Sequence, residues 1–177
     1  MPSIFRPPAT GGFLFYEVDR FADETAAMLK RARYFFLSLK SKLFGGMTIF
    51  SKIISGEIPS YKIAENEMFF AFLDIFPLRE GHVLVVPKTE TDNFFDLPGA
   101  YLEQLLVFAQ PIAKAIEKSF DCNRCGISVI GLEVPHAHMH LIPIKSANDL
   151  NFTQPKLKLG EERLKEIQAL IIGNLAL

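Results

Sequence analysis

The sequence has no tryptophan, two cysteines and four histidines, and 19 Lys and Arg against 20 Asp and Glu leave a formal charge of −1. Each shortage excludes something. A near-neutral chain has no global field that would gather nucleic acid, so any phosphate site has to be local. Cys122 and Cys125 are neighbours and cannot staple distant elements, which fits a reducing, cytoplasmic compartment. Such a pair can be two structural thiols, a redox pair or half of a zinc site. Zinc would need two more ligands, and no histidine lies near in sequence. No run reaches the roughly 18 apolar residues of a membrane span, so stable membrane association is not expected. The chain also lacks the order of a secretory signal: its first twelve residues are Pro- and Gly-rich, and charge interrupts the helix-like part that follows.

What is present describes a globular protein. A chain of 177 residues, 49% hydrophobic and 22% charged, is long enough for one domain with a substantial core. Residues 1–46 differ from the rest, with seven Lys/Arg against four Asp/Glu (net +3), whereas residues 47–177 hold twelve against sixteen (net −4). Within that first part, 23–44 has helical spacing through Met28, Ala32, Phe35, Phe36, Leu39 and Leu43. It can be a helix packed on the domain, a basic membrane-surface helix or an extension outside the functional unit. The last is preferred, with Gly45-Gly46 as the break and Met47 as a candidate true start.

From Met47 onward the pattern is compact. Apolar positions at 49, 50, 53 and 54 predict a short helix ended by Gly56 and Pro59. Segments 61–64, 69–74 and 82–86 predict three strands joined by polar turns, an antiparallel meander. Residues 98–120 predict a long helix with Leu102, Leu105, Leu106, Ala109, Ile112, Ala113 and Ile116 as its apolar stripe, Asp96 as cap and a kink at Pro111. Two more strands at 126–130 and 138–144, an irregular arm at 146–159 and a last helix at 160–172 complete the chain. The expected class is α+β: a five-stranded antiparallel sheet with a long packed helix and a C-terminal helix.

Three of the four histidines, His136, His138 and His140, occupy alternate positions between Pro135 and Pro143. On a strand, alternate side chains share one face about 6.5–7 Å apart, with Ala137, Met139 and Leu141 turned to the core. Adjacent imidazoles repel when charged, which keeps at least one neutral and nucleophilic until an anion arrives. The same spacing suits zinc ligation. From the residues alone, metal binding and phosphate chemistry stand level.

The surrounding blocks add to this. The run Val134-Pro135-His136-Ala137-His138-Met139-His140-Leu141-Ile142-Pro143 resembles the signature of the histidine triad family. Ile49-Phe50-Ser51-Lys52-Ile53-Ile54 with Glu57-Ile58-Pro59, then Phe72-Leu73-Asp74-Ile75, Pro77 and Gly81-His82-Val83-Leu84-Val85-Val86-Pro87-Lys88, resemble its other blocks in family order, over 48–144. The resemblance implies a nucleotide hydrolase or transferase that cleaves at the α-phosphorus of a nucleoside phosphoramidate, a nucleotidyl ester or a dinucleoside polyphosphate. His138 would be the nucleophile, His140 the contact to phosphate oxygens, and His136 the organiser of the middle ring and the leaving-group side. His82 would support them from a neighbouring strand. Asp74 would accept from the ribose hydroxyls, and Phe50, Ile53, Ile58, Phe72 and Ile75 would wall a purine base. No metal or other cofactor is implied; a homodimer joined through sheets and long helices is. A nucleotide-binding regulatory module with weak catalysis, or a metal-binding protein, is the competing class.

The likeness breaks just ahead of the triad. Where many members have Gly-Gln-Ser or Gly-Gln-Thr, this chain has Gly131-Leu132-Glu133, and Ser128-Val129-Ile130 offers no equivalent of the Asn often found on the preceding strand. A carboxylate at Glu133 repels a phosphate unless paired or turned away. Alternatively it protonates an amine leaving group or binds a cationic one, so it belongs among the candidate substrate-binding residues.

Overall fold

The computed structural model describes residues 46–176. The expectations for the segment before Gly46, including its helix at 23–44, lie outside the described residues. Element order is α1 (Ile49–Ile54), β1 (Lys62–Glu65), β2 (Phe69–Leu73), β3 (Val83–Pro87), α2 (Gly99–Ser119), β4 (Arg124–Ser128), β5 (Met139–Ile144) and α3 (Glu161–Asn174). The five strands form one antiparallel sheet in the order β1-β2-β3-β5-β4. The α+β class and the meander of the first three strands are as expected.

Period-two alternation divides the sheet into two faces. Phe69, Ala71, Leu73, Val83, Val85, Met139 and Leu141 point to the main core, where α2 and α3 cover them with Leu105, Phe108, Ile112, Ile116, Leu164, Ile167 and Ile171. The other face carries the row Phe72, Leu84, His140, Ser128, each paired in register with the next across the sheet. α1 contributes buried Ile49, Phe50 and Ile53, which lie outside the main core cluster. Thr48 caps α1 by accepting from Ser51 N–H, as a Ser or Thr N-cap does.

Two turns are fixed by their residues. Asn66 Oδ1 accepts from the Met68 and Phe69 amides at 2.9 and 2.7 Å, folding the β1–β2 hairpin. Gly81 adopts φ +86° before β3, and an added Cβ would lie 2.3 Å from the Phe120 ring. That turn is tied to the C-terminal helix by Arg163, which grips both oxygens of Glu80 at 2.9 and 2.6 Å.

Three expectations need correction. α2 begins after Pro98, its N-cap, so Asp96 does not cap it; Asp96 ends a separate 3-10 turn, Phe94–Asp96. The helix runs through Pro111 to Ser119 as one element, but its buried stripe takes Phe108 and Ala115, while Leu106 is 57% exposed. Both choices satisfy a three- and four-residue spacing, and the larger Phe108 ring wins the core position against Phe69. Finally, β5 begins at Met139, so His136 and His138 lie in the approach to the strand, not on it. Ala137 N–H leaves the ladder to bond Thr91 C=O, and Pro87 C=O at the end of β3 accepts from the His136 ring.

Candidate active site

Four buried imidazoles gather on the face opposite the main core. His82 lies just before β3, His136 and His138 in the approach to β5 and His140 on β5, and the partner of one ring nitrogen fixes the state of the other. Leu78 N–H donates to His82 Nδ1 at 3.2 Å, so the hydrogen of His82 sits on Nε2. That Nε2–H donates to His140 Nδ1 at 2.9 Å, which leaves His140 with its hydrogen on Nε2. His138 Nδ1–H donates to the His136 carbonyl at 2.7 Å, so Nε2 of His138 keeps a bare lone pair. His136 Nε2–H donates to Pro87 C=O at 2.8 Å, and its Nδ1 lies 2.8 Å from Thr48 Oγ1. The two ring nitrogens left for a substrate are therefore an acceptor on His138 and a donor on His140. Their rings are neighbours, with centroids 4.9 Å apart.

Burial holds this array neutral. It pushes the pKa of all four rings down, and the effect is largest at His82 and His140. Lys156 and His138 add to the shift at His82; His82, His138 and Lys156 add to it at His140. At His138 the bond to the His136 carbonyl opposes burial, followed by the negative fields of Asp74 and Glu133. Neutral nitrogens are what nucleophilic attack requires.

Asp74 follows β2. Its Oδ1 accepts from Phe76 N–H at 2.8 Å and its Oδ2 lies 3.5 Å from His82 Nδ1. Burial raises its carboxyl, with the Phe76 amide, Lys156 and His138 pulling the other way. Asp74, His82 and His140 offer donor atoms within 4.8 Å of one another, a spacing that could hold a metal ion. Both nitrogens of His82 are already engaged, however, one with Leu78 and one with His140.

The apolar wall is partly assembled. Phe50 stands edge-on to Phe72 at 5.6 Å, to His138 at 5.2 Å and to His136 at 5.8 Å, which joins α1, β2 and the histidines. Ile53 is buried on α1, while Ile58 and Ile75 are half-buried in the segments after α1 and β2. Glu133 is exposed in the loop ahead of the histidines and reaches His138 through its field. Volume does not locate this centre. A cavity of about 440 Å³ lies between the Arg79-Glu80 turn and the arm after β5, and none of the four histidines lines it.

The arm expected at 146–159 is present, but its contact with the histidines was not expected from the sequence. Residues 151–157 fold back over their own site: Phe152 stacks edge-on to His140 at 4.8 Å and to His82 at 6.3 Å. Lys156 Nζ lies 4.6 Å from the Phe152 ring centre, and Leu157 N–H bonds Pro77 C=O. An aromatic and a cation in an otherwise polar, Pro-containing stretch were the available signal. Cys122 and Cys125 lie far from thiolate chemistry: burial, then nearby acids, raise both thiols, Cys125 to about 12.

A sheet that carries neutral, hydrogen-bond-ordered histidines beside an aromatic wall defines a catalytic domain of histidine-triad type, whose chemistry is the transfer or hydrolysis of nucleotidyl groups. Residues 55–147 match the family model described as the HIT domain, and the chain belongs to that family. It is 35% identical over 135 residues to an uncharacterized HIT-like protein of Borreliella burgdorferi, covering 72% of this chain and 97% of that protein. It is 40% identical over 96 residues to the adenosine 5'-monophosphoramidase HNT1 of Saccharomyces cerevisiae, covering 54% of this chain and 61% of that enzyme. A crystal structure of a Hit-like protein involved in cell-cycle regulation from Bartonella henselae superposes with a TM-score of 0.63 at 31% identity, covering 72% of this chain and 96% of that one. Among the described residues, no helix is long and apolar enough to cross a membrane.

Proposed function

We propose that the protein hydrolyses a nucleoside phosphoramidate, nucleotidyl ester or dinucleoside polyphosphate at the α-phosphorus, with His138 as nucleophile. The observation that carries this is the 2.7 Å bond from His138 Nδ1–H to the His136 carbonyl, which aims an unprotonated Nε2 away from the backbone. In the first step Nε2 bonds to phosphorus and the bond to the leaving group breaks. In the second, water attacks phosphorus, the P–N bond breaks, and a nucleoside monophosphate is released with His138 restored. His140 Nε2–H donates to a phosphoryl oxygen as charge builds there. Its tautomer is set by His82, which itself does not touch the phosphate.

Asp74 is read as the acceptor for the ribose hydroxyls, since a carboxylate offers acceptors and no donor when ionised. Phe50 and Phe72, with Ile53, Ile58 and Ile75, are read as the wall for a purine. Glu133 stands where a hydroxyl or amide would hold a phosphate leaving group, and its negative field favours an amine or a cation there. Among the candidate substrates this points first to the phosphoramidates, in line with the activity named for the yeast relative. We assign the protein to a reducing, cytoplasmic compartment, which suits its two free thiols.

The chain is further proposed to act as a homodimer. Support comes from the edge strand β4 and the segment after it, which expose Ile127, Val129 and Ile130, and from Leu106 and Val107 on the outer face of α2. An edge strand with exposed apolar side chains is ordinarily covered.

The test is release of AMP from adenosine phosphoramidate, adenylyl-lysine and diadenosine polyphosphates, with and without chelator, by the full chain and by His138→Ala. The expected result is chelator-resistant turnover, fastest on the amine-leaving substrates and abolished by the substitution. Tight AMP binding without turnover would instead make the protein a nucleotide-binding module. Activity lost to chelator would make the Asp74, His82 and His140 cluster a metal centre.

A further inference from the structure

The first histidine of the triad is wired to the surface. Thr48 Oγ1, 2.8 Å from His136 Nδ1, lies 2.9 Å from Ser51 Oγ. Ser51 Oγ in turn lies 2.5 Å from Oε2 of Glu90, an exposed residue in the segment after β3. Backbone bonds keep the two hydroxyls in line, with Ser51 N–H on Thr48 Oγ1 at 3.1 Å and Thr48 N–H on Glu90 Oε2 at 3.4 Å. His136 itself is fully buried.

Counting hydrogens leaves this chain two complete arrangements. In one, Glu90 is a carboxylic acid that donates to Ser51, Ser51 donates to Thr48, and Thr48 donates to neutral His136. In the other, His136 is an imidazolium that donates to Thr48, Thr48 donates to Ser51, and Ser51 donates to the Glu90 carboxylate. The proton count is the same, all three bonds reverse, and none is lost. The second arrangement puts the negative charge on the exposed carboxylate, where water solvates it, and the Glu90 field favours the charged ring, while burial of the ring opposes it. The two pulls are thus set against each other at one residue, and a bound anion can decide between them.

We infer that Glu90, Ser51 and Thr48 are positioning residues that form a proton conduit, charging His136 when the substrate phosphate binds and discharging it when product leaves. The proton enters from solvent at Glu90, crosses Ser51 and Thr48, arrives on Nδ1 of His136 and returns by the same route. A cationic His136 stabilises the negative charge that develops on the phosphoryl oxygens at the neighbouring ring. Among the described residues, the titratable groups that act on His136 are Glu90 and, from its own segment, His138. α1 contributes Thr48 and Phe50, and β3 the Pro87 carbonyl, none of which titrates near neutral pH.

This inference rests on the proposed hydrolase reading, and its test keeps the two apart. The pH profile of kcat is measured on adenosine phosphoramidate for the full chain and for Glu90→Gln, Thr48→Val and Thr48→Ser. Loss of the carboxylate charge lowers the pKa of His136, so the alkaline limb moves to lower pH by about half a unit or more. Thr48→Val moves it the same way, and Thr48→Ser, which keeps the hydroxyl and the helix cap, restores the wild-type profile. Glu90→Gln leaves the cap intact, so its shift is separable from any loss of folding in Thr48→Val. Superimposable profiles for wild type, Glu90→Gln and Thr48→Val would overturn the conduit and leave the hydrolase reading standing. Absence of turnover by the wild type would overturn that reading instead. The ring nitrogen shifts of His136 would then decide the conduit by NMR: movement toward imidazolium on addition of AMP, diminished in Glu90→Gln, supports it, and unmoved shifts overturn it.

Discussion

At each of the four imidazoles the partner on one nitrogen determines what the other can do. Leu78 orders His82, His82 orders His140, and the His136 carbonyl orders His138. The order survives only while the rings are neutral, because a second proton on His82 or His140 would set N–H against N–H. Burial depresses all four pKa values in the folded state, whereas the unfolded chain titrates its histidines at the ordinary value of about 6.5. As pH falls through that value, the unfolded state takes up protons that the folded state refuses. Stability is therefore full above about pH 6.5 and declines on acidification, until the folded-state rings themselves protonate. The salt-bridged carboxylates Glu65 and Glu80, whose pKa values are lowered, add to the loss only further into acid. Thermal unfolding at pH 7, 6 and 5 should show a falling Tm over that range; a flat or rising Tm would mean that the rings are not held neutral by the fold.

The elements place these rings through a few constrained junctions. Gly81 permits the turn that delivers His82 to the start of β3, with Phe120 from the end of α2 packed against it. Gly81→Ala puts a methyl group into that ring and a side chain at positive φ, and should cost about 1–3 kcal/mol in urea unfolding. A loss below about 0.5 kcal/mol would show that the ring and turn yield freely. The sequence made the strands and both long helices legible, because alternation and three- and four-residue spacing record which face is apolar; the gathering of His82 with the triad was legible only through the family resemblance. It misplaced His136 and His138 on β5, because alternation alone cannot reveal that Ala137 bonds Thr91 instead of a strand neighbour. It chose Leu106 over Phe108, since both fit the helix period. The placement of Glu90, and of Phe152 and Lys156 in the arm, beside the histidine site was not legible, because it depends on contacts between residues far apart in sequence.

At the scale of the whole molecule, the exposed apolar side chains among the described residues include Ile127, Val129, Ile130, Leu106 and Val107, on β4 and the segment after it and on the outer face of α2. Covering them with a second copy is the simplest use of such an edge. In sedimentation, the full chain and a chain beginning at Met47 should both run as dimers, and the pair Leu106→Glu with Ile127→Lys should run as a monomer. A monomeric wild type would refute the homodimer, and failure of the Met47 chain to fold would assign residues 1–46 to the functional unit. Dimer or monomer, the proposed chemistry converges on one atom, Nε2 of His138, left bare by the bond its Nδ1–H makes to the His136 carbonyl. The most direct measurement is intact and peptide mass spectrometry of enzyme quenched during turnover of adenosine phosphoramidate. The expected result is one added AMP moiety, located on His138 and absent from His138→Ala. Turnover with no adduct at His138, or with the adduct on another residue, would contradict it.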